Sequence, residues 1–489
     1  MRKRRLFGTE VEYGLQISGR GAREQMEDAA EFVASHDGVA FCGWDYGLES
    51  PRCDMRGFSV DRLAEDPIDA QFDEGSGPRN DRALRADRVL VNGARFYNDH
   101  GHPEYSTPEC SRIADLVAQE LAGERIVCAT AARFSAATGR EARVFKNNTD
   151  YHGASYGAHE SFLVGREISY EKLLEGLLPL FVTRQILVGA GKVGSENSNG
   201  CEFQLSQRAD FLQEKANVET LYRRPIFNTR DEPHADASEW ARLHVICGDA
   251  SRMPWCISMK AGMVLAALRL IELGECPRWE LDDVVSSFSH ISKDKTREWK
   301  IPLKGGSWTT GIDILDSYVS SGERRLMGED AEMDWVLGEW RIALLDLRAN
   351  PSSLRNRVDW VAKERLLTMF AEESGSWDEA TLQSIEMEYH DLNLETSLFS
   401  ALDNAGEVMQ VVPRDRVLDA MTLAPQETRA AVRGALVKEH GAELETIGWR
   451  RAVLKNESDP RVVEFEVEAD SRKIAEVRAA ISEWKAGSV

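Results

Sequence analysis

Arg5-Leu6-Phe7-Gly8-Thr9-Glu10-Val11-Glu12-Tyr13-Gly14-Leu15-Gln16-Ile17 alternates with a period of two. Phe7, Thr9, Val11, Tyr13 and Leu15 fall on one side; Gly8, Glu10, Glu12 and Gly14 fall on the other. That period is the signature of a strand with one buried and one polar face. Carboxylates at i and i+2 on a strand stand about 6.5–7 Å apart, and they repel unless they face water or share a cation. The glycines on either side leave that face uncrowded. From this pair alone, a solvated strand face is the competing reading.

A second polar row lies at Arg95-Phe96-Tyr97-Asn98-Asp99-His100-Gly101-His102-Pro103-Glu104-Tyr105-Ser106-Thr107-Pro108-Glu109. The run 88–99 reads as a hairpin turning at Asn92-Gly93. Arg95, Tyr97 and Asp99 alternate onto one face, and Glu104 follows one short turn later. Set beside Glu10 and Glu12, such a row makes an acidic basin suited to a hard, oxygen-coordinated cation such as Mg²⁺; an ordinary solvated hairpin is the alternative. His100 and His102 have no nearby Cys or HExxH partner to make a zinc site. In 147–160, His159 opens a strand and reads either as a metal or phosphate partner or as a structural histidine. In 228–236 and Arg242-Leu243-His244, an arginine among acids either clamps an anion or closes a self-neutralising loop network. Gly189-Ala190-Gly191-Lys192-Val193-Gly194 matches GxGxxG but follows a helical pattern instead of a strand, so it is not a dinucleotide fingerprint. No GxxxxGK[ST] occurs, so any ATP site is not a P-loop.

The 489 residues carry 82 acids against 60 basic residues, a net charge of −22, which argues against a nucleic-acid partner. It does not exclude ATP, since carboxylates can hold Mg²⁺ against the phosphates. Glu10 and Glu12 follow the basic start too soon for an export signal, and the most apolar run, 262–273, contains Arg269 and is too short to span a bilayer. With eight scattered cysteines, these features point to a cytoplasmic protein with reduced thiols and no membrane partner.

Along the chain, 28–34 reads as a short helix and 43–86 as a long, mobile acidic loop. A helix over 112–138 and strands over 142–147 and 160–165 follow. Next come a helix over 174–187, strand-like 203–209 and 243–248, and a buried helix over 259–273. The stretch 331–392 is helical throughout, its stripe of Trp335, Trp340, Leu344, Leu345, Trp360, Leu366, Leu367 and Phe370 reading as core. The last 75 or so residues read helix (414–421), helix (426–440), strand (449–454), strand (462–467), helix (471–484). The expected class is α+β, with a domain over 1–410 and a small α+β domain over 411–489.

As a series, Gly8-Thr9-Glu10-Val11-Glu12-Tyr13-Gly14, 92–109, 147–160, Gln204-Leu205-Ser206-Gln207-Arg208-Ala209-Asp210 and 228–236 resemble the Pup ligase / Pup deamidase–depupylase family. The resemblance implies a glutamine-synthetase-like (carboxylate–amine ligase) fold: a curved antiparallel sheet cradling ATP and Mg²⁺, backed by helices, with a small C-terminal domain. The insertion 43–86, with Glu49-Ser50-Pro51 and Arg56-Gly57-Phe58, and the spacing of Asp99 to Glu104 resemble the depupylase branch. Carried over by motif, Glu10, Tyr97 and Glu104 are Mg²⁺ ligands, with Glu12 a further one. Arg95 and Thr107 touch nucleotide phosphates. Trp449, placed in a C-terminal strand, contacts the nucleotide; on its own residue type it reads as a core aromatic. Asp99 is the catalytic carboxylate, either attacking the amide carbon or positioning the attacking group. The implied activity is a depupylase and Pup deamidase using ATP (or ADP plus phosphate) and Mg²⁺, with Pup and pupylated proteins as partners. Pup–protein ligase is the alternative. Ser161-Phe162 and Ser307 depart from the family pattern and leave an impaired Pup-binding regulatory protein as a further one. Pup is acidic in this family's systems, so a basic groove is expected, and the sequence does not locate it.

Overall fold

The structure, a computed structural model, describes residues 5–63, 84–196, 200–456 and 460–487. Strand β1 (Phe7–Glu12) buries Phe7, Thr9 and Val11 and presents Gly8, Glu10 and Glu12 on the opposite, partly open face. The chain then leaves this sheet: β2 (Gly14–Ile17) runs alongside 142–145 in a separate two-stranded sheet. The single strand expected over 5–17 is therefore two, a break that alternation cannot reveal because both halves keep the same period.

After the helix Gln25–Ala34 come β3 (Ala40–Phe41), β4 (Arg88–Leu90), β5 (Arg95–Asp99) and β6 (His102–Ser106). The partner of β2 is β7 (Ala142–Phe145), and β8 (Ala158–Gly165) returns to the main sheet. A small ladder joins β9 (Lys192–Val193) to β10 (Phe203–Gln204), so the strand expected over 203–209 is only two residues long. Finally β11 (Glu214–Asn217), β12 (Pro225–Asn228) and β13 (Trp240–Val245) complete a nine-stranded sheet in the order β11-β12-β13-β8-β1-β6-β5-β4-β3. Every neighbouring pair is antiparallel except β11–β12, which is parallel and sits at one edge.

Helices cover the other face. Ile113–Thr138 starts after an extended Arg112 and ends at a left-handed Gly139, the usual device for stopping a helix. Its Ile126, Val127 and Phe134 pack with Val11, Phe96 and Tyr105 of the sheet. Pro254–Leu273 opens with proline at its first position and is buried nearly all round, as its largely apolar sequence leads one to expect. The expected helix over 174–187 breaks at Arg184 into Tyr170–Thr183 and Gln185–Val188. The stretch 331–392 is three helices, Ala331–Ala349, Asp359–Ser374 and Glu379–His390. Trp340, Leu344, Trp360 and Leu367 of its stripe are core, but Leu345 is 55% exposed and Phe370 37%.

The helices Ala430–His440 and Lys473–Gly487 pack against a three-stranded sheet of β16 (Leu444–Ile447), β17 (Arg451–Leu454) and β18 (Arg461–Glu464), numbered after the hairpin β14 (Lys300–Pro302) and β15 (Trp308–Thr310). The sequence reading missed β16 and placed Trp449 in a strand; Trp449 lies in the turn between β16 and β17. Trp44 and Val89 join the core of this unit.

The loop reading of 43–86 needs correction over 43–63. Trp44 bridges to Ile447, and Asp54 to Arg230. Asp45 accepts from Arg451 Nε at 2.6 Å, and Met55 N donates to Thr229 O at 2.8 Å. A segment pinned to both the sheet and the C-terminal unit is docked. Positions 64–83, the most acidic part of that reading, lie outside the described residues.

Candidate active site

The strand register assembles one polar face. Glu10 stands opposite Ser106 on one side and His159 on the other; Glu12 stands opposite Glu104, Tyr97 opposite Glu104, and Asp99 opposite His102. Glu10, Glu12, Arg95, Tyr97, Asp99, Glu104 and Trp449 line a single cleft of about 350 Å³. A narrower pocket of about 90 Å³ adjoins it, sharing Glu10, Ser106, His234, Arg242 and Trp449, and this pocket holds Thr107. The structure thus brings seven of the eight sequence-derived residues to the main cleft and Thr107 to its annex. There Thr107 Oγ1 accepts from Thr9 N at 3.0 Å.

Two clusters, one of three carboxylates and one of a carboxylate with two histidines, divide the basin. Glu12, Asp99 and Glu104 offer oxygens that all lie within 4.8 Å of one another, as do ligand atoms of Glu10, His159 and His244. Glu104 accepts from the Tyr97 hydroxyl at 2.6 Å and from Ser106 Oγ at 3.2 Å. Its carboxyl is pushed well above the usual range, by burial first and then by the like charges of Asp99, Glu10 and Glu12. The Tyr97 phenol is pushed up by burial and by Glu104. Glu10 goes the other way. Burial pushes its carboxyl up, but Arg242, whose Nη2 donates at 2.6 Å, together with His159 and His244, holds it well below the usual range. Glu12 accepts from the backbone N–H of Gly157 at 2.7 Å, so the glycine-bearing loop after β7 reaches the cleft as a donor.

Negative charge concentrated on buried oxygens is the environment a divalent cation relieves. The all-oxygen set of Glu12, Tyr97, Asp99 and Glu104 suits a hard ion such as Mg²⁺. Arg95 is engaged within the protein. Its Nη2 donates to Asp87 at 2.7 Å and its guanidinium lies between the rings of Trp44, 4.2 Å, and Tyr97, 3.8 Å. Asp99 is partly exposed in the cleft, with Arg85 Nη1 4.0 Å away.

The sequence reading missed a basic wall. Arg208, Arg224, Arg230 and Arg242 line the same cleft. Arg208 is pushed down to about 10 by burial and by Arg224, and Arg230 is pushed down by burial and by Arg242. Arginines crowding one another in a buried place favour an anionic visitor. Arg230 and Arg242 stood in quoted motifs where spacing left their role open, and Arg208 stood in a quoted motif that gave it no role; Arg224 carries no local pattern that singles it out. The missed docked segment adds Glu49 and Pro51 to the lining.

A family profile described as Pup-ligase protein matches residues 5–453. The chain is 36% identical over 461 residues to a depupylase of Acidothermus cellulolyticus, covering 91% of this chain and 90% of that relative. It is 37% identical over 388 residues to a Pup–protein ligase of Acidimicrobium ferrooxidans, covering 76% of this chain and 85% of the ligase. The solved complex between the prokaryotic ubiquitin-like protein Pup and its ligase PafA is similar with a TM-score of 0.80 and 29% identity, over 98% of this chain and 92% of that one. PafA in complex with ADP is similar with a TM-score of 0.74 and 31% identity, over 81% and 90%. The matched residues span the sheet, the helices behind it and the cleft on its open face, and the chain belongs to the Pup ligase and depupylase family.

Proposed function

We propose that this chain is a cytoplasmic depupylase and Pup deamidase. It cleaves the isopeptide bond between the C-terminal Glu side chain of Pup and a substrate lysine, and it converts a C-terminal Gln of Pup to Glu. The observation that carries the reading is the cluster of Glu12, Asp99 and Glu104 within 4.8 Å in a cleft that Trp449 borders. Alignment to a depupylase over 91% of the chain supports the branch.

In this reading Mg²⁺ would be held by Glu12, Tyr97 and Glu104 of the all-oxygen set and by Glu10 from the neighbouring group, where it would neutralise phosphate charge and stabilise a developing oxyanion, while Asp99 of the same set is kept for the reaction. Thr107 and Trp449 border the annex and Arg95 the main cleft, and together they receive ATP, or ADP plus phosphate. Asp99 acts at the amide carbon, as nucleophile or by orienting the attacking group. In this reading the arginine wall meets anionic groups of nucleotide and Pup, the role expected of a local basic groove.

Pup ligase is the second reading, favoured by the 37% identical ligase. Free Pup ending in Gln, given with ATP, Mg²⁺ and a lysine-bearing protein, separates the two. Conversion to Pup ending in Glu without new conjugates supports deamidase action; new conjugates formed from Pup ending in Glu would place the chain with the ligases.

A further inference from the structure

Glu109, in the loop after β6, lines the annex together with Arg429 and joins the sheet to the C-terminal unit there. Its carboxylate accepts from Arg429 Nε at 2.7 Å and from Arg433 Nη1 at 3.1 Å, and Arg433 Nη2 donates to its other oxygen. Both arginines come from the C-terminal unit and both are buried. Arg433 does more than pair. Its guanidinium lies over the Trp449 ring at 4.7 Å, and it donates to the backbone oxygens of Trp449, at 3.2 Å, and Gly93, at 2.9 Å. Arg429 Nη1 donates to His234 O at 2.8 Å, and His234 faces the other side of the annex near Trp449, with ring centroids 6.4 Å apart. Trp44 abuts the same indole edge-on at 5.1 Å.

Trp449 lies in a turn, where neighbouring backbone fixes an indole poorly, so its placement falls to these contacts. We infer that Glu109 and Arg433 are positioning residues: the ion pair locks the C-terminal unit onto the sheet and thereby sets the Trp449 ring at the edge of the nucleotide pocket. Arg433 is suited to this by shape as well as charge. A planar guanidinium can accept a carboxylate along one edge and stack on an aromatic with its face, which an ammonium cannot do. The inference rests on the nucleotide reading of the cleft.

The test is binding of a fluorescent ADP analogue with Mg²⁺, run with thermal melts of the free protein. Arg433→Lys keeps a buried cation opposite Glu109 and so protects folding, while losing the stack. It should weaken ADP binding about tenfold, and Glu109→Gln should do likewise. Cleavage should show a raised KM for nucleotide, with kcat at saturation changed less than about threefold. On a Trp449→Ala background, already weakened, either change should add less than about twofold, because residues acting through one group are not additive. Glu427→Gln is the control. Its exposed pair with Arg112, 2.6 Å, also joins the two parts but touches neither Trp449 nor the annex, and ADP affinity should hold within about twofold. Unchanged ADP affinity in Arg433→Lys, or full additivity with Trp449→Ala, would overturn the inference while leaving the nucleotide reading intact. No ADP binding by the wild type would overturn both.

Discussion

Glu104 shows how one side chain serves two opposed demands. Buried beside Asp99, Glu10 and Glu12, its carboxyl is pushed well above the usual range, so the charged form is disfavoured in the metal-free protein. Glu104→Gln should therefore raise the stability of metal-free protein by about 1–2 kcal/mol, and it should abolish the rise in melting temperature expected for the wild type with Mg²⁺. Differential scanning fluorimetry with and without Mg²⁺ reads both. Asp99→Asn keeps the shape of the side chain and should lower cleavage at least about a thousandfold with the fold unchanged, as judged by circular dichroism. Glu109 gives a pH effect of defined sign. Burial pushes its carboxyl up, but Arg433 and Arg429 bring it down to about 2. A carboxyl lowered in the folded state stabilises above its unfolded value, 4.5, and that contribution is lost as pH falls toward 2. Urea melts from pH 6 to pH 3 should show Glu109→Gln losing on the order of 2 kcal/mol less than wild type across that range. At this scale the acids were legible, since period-two spacing on β1 and β5 put them on one face. The arginine wall was not, because Arg208 and Arg224 reach the cleft from irregular segments distant in sequence.

At the scale of elements, the hairpin at Asn92-Gly93 was legible from its turn chemistry, and its second role was not. The helix Ala430–His440 rides directly on that turn. A Cβ on Gly434 would lie 2.2 Å from Val91 O, and one on Gly93, whose φ is +80°, would lie 2.7 Å from Ala430 O. Gly434→Ala should push the helix off the hairpin and cost roughly 2–3 kcal/mol in chemical denaturation, well beyond the usual cost of a surface change. The docked segment 43–63 was misread for an analogous reason. Acidic composition suggested solvent, but Asp45 and Asp54 are paired with Arg451 and Arg56, and Trp44 is buried against Arg95. Trp44→Ala should leave the global fold in place and impair nucleotide binding, since the indole lies between Arg95 and Trp449, two of the residues given to the nucleotide. A binding isotherm for ADP checks it.

Over the whole molecule, the net charge of −22 resolves into distinct local fields. Acids and arginines both crowd the cleft, with Arg242 paired to Glu10 and Arg85 4.0 Å from Asp99, so the bulk figure says little about what the site receives. Class was legible from the mixed strand and helix patterns, and architecture from the resemblance of the long motifs in series to a known family. The break after β1 and the seam of the C-terminal unit were not, since local pattern carries no record of which sheet a strand joins. The division into 1–410 and 411–489 stands as a proposal, and Val417 and Ala420 pack with the large core, which moves the proposed seam toward Leu423. Among the described residues no helix is long and apolar enough to cross a membrane. The most direct measurement is isopeptide cleavage itself: a purified Pup–lysine conjugate incubated with the chain, ATP and Mg²⁺ and followed on a gel. The account predicts release of Pup and unmodified protein, lost with EDTA and in Asp99→Asn; a conjugate that stays intact with the wild-type chain while Mg²⁺ and ATP are bound would contradict it.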